Sequence, residues 1–495
     1  MQPVRSFTLH DVNNQHKFEK FFWSGVNAHV KVFKDVATAD TICETLRRVI
    51  RAIISAIQVP FFCAGAGLFA LYGYANRSTQ LEVALTTNQP LTHFSHHYYP
   101  RMPGTTAEQE PLNIHGFCHY IRENKTLQSI VIYNTPDSKA LKRICRALEG
   151  NTTLQKLEIH DSLQTLGSIR AVGMLLLENK TLKTLKLIGC GIQNPGVESI
   201  MEGLRNNSSL VSLDLSHNPI THVQFEETAQ ALRELNFIKT SRLNFVGLAG
   251  SIKATGQAGI ENLHLSFDFT ELDGSEGLAQ AFAENQVLNT LVLSGDKLYR
   301  TSSYKCPLNW ESAEILFDAL NCSTTLKTLV LRDGAIGGDA MDEIVEGLVA
   351  NTTLEAFGIV NDLLFPDSIT KLFEGLSRNP RITQLKLEDC LPNKFFSRQD
   401  MVDLIANNTT ITHLDLSRNW RIGLGGIDGL RHIIENNKTL KFINLAACDL
   451  TVEQLQGIVQ ALENNTTLTG LQLDRDIDPA IAAEITRLLE RNRNE

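Results

Sequence analysis

The sequence predicts an α/β solenoid, with parallel strands stacked on one face, helices returning along the other, and a small, mostly helical region ahead of them. Three observations carry this expectation. A phrase close to Asn-x-Thr-Leu-x-x-Leu-x-Leu recurs along the chain, as in ENKTLKTLKL (178–187), NNSSLVSLDL (206–215) and NNTTLTGLQL (464–473). Its first apolar anchors mostly stand 27 to 30 residues apart. After each phrase the apolar spacing changes from every second residue to that of a helix.

The anchors are Leu127, Leu154, Leu182, Leu210, Thr240, Ile260, Leu288, Leu326, Leu354, Ile382, Ile411, Leu440 and Leu468, which makes thirteen units and about thirteen strands. In each unit the Leu-x-Leu alternation reads as a strand with one buried face. The helix that follows shows its inner side in Ile192, Val197, Ile200, Met201 and Leu204. A small residue precedes its last leucine, as at Gly203, Ala231, Ala319, Gly347, Gly375 and Ala461, and lets helix and strand backbones approach closely. The asparagine three residues before the anchor is expected to end the helix in a left-handed conformation, which Asn tolerates. The turn after the strand carries Cys190, Asn218, Cys390, Asn419 and Cys448 at one position, read as buried side chains serving the backbone of neighbouring turns. One unit cannot bury its apolar side alone, whereas stacked units share a continuous core. At the C-terminal end, Asp478-Pro479 reads as an N-cap with proline at the first helical position.

Two intervals break the rhythm. From Thr240 to Ile260 there are only 20 residues, with Gly247, Gly250, Gly256 and Gly259 among them, so a loop or short turn is expected in place of the outer helix. From Leu288 to Leu326 there are 38 residues. Aligning Cys306-Pro307-Leu308 with Cys448-Asp449-Leu450 restores the repeat and leaves an insertion, Asp296 to Lys305, that carries Tyr299, Arg300 and Tyr304.

Composition agrees with a folded, globular chain. The chain has 495 residues, 43% of them apolar and 20% charged, and a net charge of −9, which gives no electrostatic reason to expect a nucleic-acid partner. Its nine cysteines are odd in number and widely spaced, which argues against a disulfide framework or a zinc site and suits a cytosolic place of action. The segment from Met1 to Asp11 does not read as a signal peptide, so the many Asn-x-Ser/Thr triplets are taken as structural.

The unit L-x-x-L-x-L-x-x-(N/C)-x-(I/L)-x-x-x-G-x-x-x-(I/L)-x-x-(A/G)-L resembles the ribonuclease-inhibitor-like class of leucine-rich repeats. Residues 182–204, LKTLKLIGCGIQNPGVESIMEGL, match it nearly throughout, and the likeness covers about residues 113–495. The resemblance implies a horseshoe with strands on the concave face and helices on the convex one. It also implies roles in protein binding, among them inhibitors, innate-immune sensors and activators of small GTPases. The NNTTL-rich phrasing is also similar to effectors secreted by intracellular bacteria. The sequence lacks the G-x-x-x-x-G-K-[ST] loop that an immune-receptor NTPase needs. No catalytic domain is expected after the last repeat, unlike in the bacterial ubiquitin-ligase branch.

Residues 1–112 lie outside this pattern. Asp40 caps an expected helix over 41–58, with a stripe of Ile42, Leu46, Val49, Ile50, Ile53 and Ile57. From Ala52 to Ala75 there are 24 residues without a charge, long enough to span a bilayer and flanked by Arg47, Arg48, Arg51 and Arg77. Two readings stay open. Pro60, Gln58 and the glycines favour two short helices packed as a cap on the repeats. Alternatively, Phe61, Phe62, Leu68, Phe69 and Leu71 contact a membrane. The prolines of 76–112 suggest a linker or irregular cap.

Chemistry is harder to find. His93, His96 and His97 lack acidic or cysteine partners at ligand spacing, so a loop is expected there and no metal. His115 and His119 align with solvent positions of the next unit, and Cys63 lies in an apolar run that suppresses thiolate formation. No cofactor is implied. Two function classes therefore compete: a non-catalytic scaffold binding a protein partner, a host protein if the effector resemblance holds, or a membrane-associated enzyme or small-GTPase regulator with its active group in or near residues 1–112.

The residues between the strand leucines should face the concave side: Tyr133, Lys156, His160, Lys186, Asp214, His217, Arg242, His264, Phe267, Arg332, Lys386, Glu388, Asp415, Arg418, Phe442 and Arg475. Phe267, Arg332, Arg418 and Phe442, with Tyr299, Arg300 and Tyr304 of the insertion, are the candidate partner contacts, because aromatic residues and arginine dominate interface energies. Nothing in the sequence fixes the oligomeric state.

Overall fold

In the computed structural model the described residues are 93–97, 114–134, 137–220, 232–237, 245–267, 277–295, 308–392, 395–419, 427–474 and 477–494. The chain divides into two units, Met1–Asn76 and Arg77–Glu495, and all described residues lie in the second.

That unit is an α/β solenoid. Fourteen strands form one parallel, open sheet in sequential order. They are β1 (His93–His97), β2 (Ser129–Tyr133), β3 (Lys156–His160), β4 (Thr184–Ile188), β5 (Ser212–Asp214), β6 (Glu234–Phe237), β7 (Asn262–Ser266), β8 (Thr290–Ser294), β9 (Thr328–Arg332), β10 (Ala356–Val360), β11 (Gln384–Glu388), β12 (His413–Asp415), β13 (Phe442–Asn444) and β14 (Gly470–Gln472). The described helices are α1 (Ile114–Glu123), α2 (Ala140–Leu148), α3 (Leu166–Glu178), α4 (Asn194–Leu204), α5 (Phe245–Ala258), α6 (Leu278–Glu284), α7 (Trp310–Leu320), α8 (Gly338–Ala350), α9 (Pro366–Arg378), α10 (Gln399–Ala406), α11 (Ile427–Asn436), α12 (Val452–Asn464) and α13 (Pro479–Asn494).

The strand register follows the leucine pattern. Leu157 pairs with Leu185, Leu185 with Leu213 and Leu385 with Leu414, so the anchors form continuous rows across the sheet. These side chains are buried, and burying each contributes roughly 1.5–3 kcal/mol before entropy is subtracted. The small residues before the last helical leucine act between neighbouring helices, rather than between helix and strand as expected. A Cβ on Gly203 would stand 2.2 Å from the Gly173 carbonyl of α3, and one on Gly347 would meet the Phe317 ring of α7.

The repeated asparagine is not left-handed. Asn179 has φ −73° and ψ 128°, and Asn351 and Asn465 are likewise extended. The side chain does the work instead. Asn207 Oδ1 accepts from the Ser209 and Leu210 N–H groups, turning the chain into the next strand. Its Nδ2 donates to the carbonyls of Leu176 (2.6 Å) and Asn179 in the preceding repeat. Asn379, Asn437 and Asn465 repeat the arrangement. These amides are buried, which accords with their structural reading.

The turn position behaves as expected. Cys190, Cys390 and Cys448 are buried and donate to the Ile159, Ile359 and Leu416 carbonyls one repeat earlier. Burial pushes the Cys190 and Cys448 thiols up to about 12 and that of Cys390 higher still. The final cap also follows the sequence. Asp478 accepts from the Ala480 N–H, and at the far end of α13 Arg491 donates to the Leu462 and Glu463 carbonyls while Asn492 donates to that of Leu468.

Two expectations about the array are corrected. The sheet begins before residue 113, because His93–His97 is a strand paired with Ser129–Tyr133 and not a loop. The expected gap at 240–260 is absent, since α5 is a regular helix of 14 residues. The anchor of that unit is Leu232, not Thr240. Leu232, Leu235 and Phe237 supply the Leu-x-x-Leu-x-Leu pattern, with Leu235 paired to Leu213 and Leu263. The short interval therefore lies between Leu210 and Leu232, where residues 221–231, including Ala231, fall outside the described residues.

Candidate interaction surface

Alternation along each strand sends every second side chain to the open face of the sheet. On β3 and β4 that face holds Glu158, a nearly buried carboxylate between two ammonium groups, with Lys156 Nζ at 3.1 Å and Lys186 Nζ at 3.3 Å. Burial works against its charge, but the two lysines outweigh it and hold the carboxyl below the usual range. His160 Nε2 lies 3.5 Å from the other Glu158 oxygen, and its ring stacks on Tyr133 with centroids 4.4 Å apart.

Further along, Asp214 accepts from the Ser216 N–H and from Asn236 Nδ2. His264 follows on β7. Burial pushes its imidazole below the ordinary value, against the pull of Glu234 and Asp214. The central strands then present a band of small, uncharged groups, Thr290, Val292 and Ser294 beside Thr328 and Val330, then Ala356, Gly358 and Val360. Arg332 is the one charged side chain among the face positions of β8–β10. Charge returns on β11 and β12, where Lys386 Nζ sits 2.7 Å from Glu388 and 2.9 Å from Asp415. Burial disfavours the ammonium, but both carboxylates raise its pKa above the usual value. Beyond them the ring of Phe442 stacks on that of His413 with centroids 5.9 Å apart.

A second feature lies on the strand-to-helix turns. Trp310, Leu363 and Phe365 are exposed at 49%, 64% and 64%. Trp310 opens α7 behind Asn309, whose side chain caps the helix by accepting from the Ser312 N–H. Phe365 occupies the N-cap of α9, where a short polar side chain is the rule, and makes no capping bond. Leu308, just ahead of Trp310, donates its N–H to the Gly334 carbonyl, so the interval after Gly295 rejoins the fold at this rim.

The expected contacts fare differently. Arg418 is exposed, with left-handed φ 62° and its Nε 3.6 Å from Glu388. Arg332 and Phe442 are half-buried on the sheet face. Phe267 is a correction, being fully buried. Leu263, Leu265 and Phe267 share one side of the strand, so a period of two sends the ring into the core. His217, with φ 60°, belongs to the turn after β5. Tyr299, Arg300 and Tyr304 lie outside the described residues, as do Arg242, Arg475 and the membrane candidates Phe61, Phe62, Leu68, Phe69 and Leu71. Among the described residues no helix is long and apolar enough to cross a membrane, and no group of three or more His, Cys, Asp or Glu is placed to hold a metal ion. Sequence reasoning missed Glu158, although the alternation between Leu157 and Ile159 marks it. It also missed Leu363 and Phe365, which sit in a turn, and Trp310, the first residue of a helix, where periodicity gives no guide.

A sequence profile described as Leucine Rich repeat matches residues 178–201, 206–222 and 407–430, each running from a strand into its turn or helix. Mouse ribonuclease inhibitor is 24% identical over 300 residues, covering 53% of this chain and 63% of the inhibitor. The chain is a ribonuclease-inhibitor-like leucine-rich-repeat protein. Such repeats typically serve as scaffolds for protein–protein interaction. Among its relatives, human NACHT, LRR and PYD domains-containing protein 5 is 23% identical over 350 residues, 68% of this chain, and the human protein 14 of that name is 26% identical over 377 residues, 72% of this chain. This repeat protein spans only 28% and 33% of their lengths. The crystal structure of a leucine-rich repeat-containing protein from Legionella pneumophila matches 68% of this chain and 97% of its own, at 16% identity and a TM-score of 0.44.

Proposed function

We propose that this repeat protein is a non-catalytic scaffold that grips a protein partner at the rim around Trp310, Leu363 and Phe365 and through the adjoining insertion with Tyr299, Arg300 and Tyr304. The supporting observation is the exposure of three large apolar side chains on turns that flank the uncharged band of the sheet. Large apolar groups held on rigid turns are the common anchors of interfaces. Arg332 on β9 lies within the same region of the sheet, while Arg418 and Phe442 stand further along it, after β12 and on β13.

The test begins with capture of a partner by the full chain from lysate, followed by affinity measurements. Leu363→Ala with Phe365→Ala, and separately Tyr299→Ala with Tyr304→Ala, are expected to weaken binding by at least ~1–2 kcal/mol without lowering the melting temperature. Full affinity in both places the contact elsewhere. A chain beginning at Arg77, which keeps β1, is expected to bind as the full chain does. Loss of binding there favours the alternative, a membrane-associated enzyme or small-GTPase regulator centred on residues 1–112.

The finer reading, an effector secreted by a bacterium and acting on a host protein, rests on the NNTTL phrasing. It expects a partner from host lysate and none from bacterial lysate. Membrane contact through residues 41–75 rests on the uncharged run from Ala52 to Ala75. Flotation of the full chain on liposomes, lost in the chain from Arg77, is its test.

A further inference from the structure

Helix α3 has an unusual outer face. Leu166, Met174 and Leu177 are exposed along it, Met174 at 64%, and Leu163 in the turn before it is exposed at 73%. Among the described side chains no other helix exposes more than one large apolar residue. A surface helix normally turns a polar side to water, so this stripe is an exception in an otherwise regular array.

The helices packed on either side of α3 carry a matched charge pattern. The last buried leucines of the three helices are Leu148, Leu176 and Leu204, 28 residues apart, so residues separated by 28 or 56 positions stand at the same height. On α2 the outward side chains include Lys142, Arg146 and, just after the helix, Glu149. At the same three heights α4 presents Glu198, Glu202 and, just after it, Arg205. Every sign is inverted between the two flanks. Met174 and Leu177 stand at the second and third of these heights on α3, and Arg170 at the first.

We infer that the outer face of α3 is a dimer interface occupied by a second copy of this chain, related by a two-fold axis parallel to the helix. Such an axis exchanges left and right without changing height. It lays α3 on its own image and brings α2 of one copy against α4 of the other. Lys142 then meets Glu198 of the other copy, Arg146 meets Glu202, and Glu149 meets Arg205. A two-fold interface must be self-complementary, and this surface is so in apolar character at its centre and in charge at its edges. Arg170 meets its own image across the axis, so the apolar contact centres on Met174 and Leu177. A lipid surface fits less well, because Glu198 and Glu202 would face anionic headgroups.

Analytical ultracentrifugation of the full chain, from about 0.1 to 100 μM, is expected to show a monomer–dimer equilibrium. Met174→Glu is expected to raise the dissociation constant at least about tenfold while leaving the melting temperature unchanged, since the side chain is exposed. Lys142→Glu with Arg146→Glu weakens the dimer, and adding Glu198→Lys with Glu202→Lys restores it. A chain that stays monomeric throughout overturns the inference, as does a dimer indifferent to Met174→Glu or a quadruple variant no tighter than the double. Flotation on vesicles containing anionic lipid that disappears with Met174→Glu, in a chain that does not dimerise, assigns the stripe to a membrane surface instead.

Discussion

Asn218 closes the turn of the repeat before its own, its Oδ1 accepting from the backbone N–H of Cys190 at 2.9 Å. The same oxygen accepts from the Ile192 N–H, and Nδ2 donates to the carbonyls of Leu187 (2.7 Å) and Leu215 (2.8 Å). Asn218→Ala strands these buried groups and is expected to cost about 2–4 kcal/mol. Asn218→Cys, the residue found at this position in other repeats, keeps a donor and should cost less. Denaturant midpoints of the two variants compare them directly, and equal midpoints would show that the amide contributes little.

Two glycine substitutions should move stability in opposite directions. Alanine at Gly203 drives a Cβ into the Gly173 backbone, and backbone cannot step aside, so a loss of roughly 1–3 kcal/mol is expected. Gly250 lies inside α5 with nothing within 4 Å of a built Cβ. There Gly250→Ala is expected to gain about 0.5–1 kcal/mol through helix propensity. Thermal melts of both variants decide the matter.

The pH response of His264 has a definite sign. Burial lowers its folded pKa below the ordinary 6.5. Above 6.5 both folded and unfolded forms are neutral there, and the contribution to stability is complete. Below it the unfolded chain takes up a proton that the folded chain resists, so stability falls until the folded pKa is passed. His264→Gln removes this loss. The stability difference between wild type and variant should therefore be flat above pH 6.5 and shift in favour of the variant below it; a pH-independent difference would rule out this account.

Leu213 and Leu414 are each fully buried in their strands. Replacing either by Asp places a charge in the core and is expected to cost at least ~3 kcal/mol. Because each repeat leans chiefly on its neighbours, amide exchange should accelerate first in the adjacent strands. Unchanged melting would contradict the register in which these residues point inward.

Much of the fold was legible because the repeat imposes one pattern many times. Leu185 and Leu187 announce a strand, and the same spacing at Leu213 and Leu414 removes ambiguity. Leu232 is harder to recognise as an anchor than its counterparts because Leu232-Arg233-Glu234-Leu235 follows no Asn-x-Thr phrase, and the leucines alone define the strand. β1 is hidden for a different reason, its core position being filled by Phe94 instead of leucine. The left-handed reading of Asn179 considered only the backbone, whereas the side chain reaches forward and back at once. Such reach depends on the neighbouring repeat and is invisible to local spacing. The candidate surface was less legible, because exposure of Trp310 or Phe365 is set by the path of a turn and not by any period.

The bonds made by Arg491 and Asn492 give the molecule a mechanical polarity. Under load applied at its C terminus, this clamp on the Leu462, Glu463 and Leu468 carbonyls is met before any inner repeat is disturbed. Its hydrogen bonds have to yield together before α12 and β14 can peel away. Extension from that end should therefore begin with a distinct rupture, after which the repeats, most of them held to the one before by an asparagine, let go in turn.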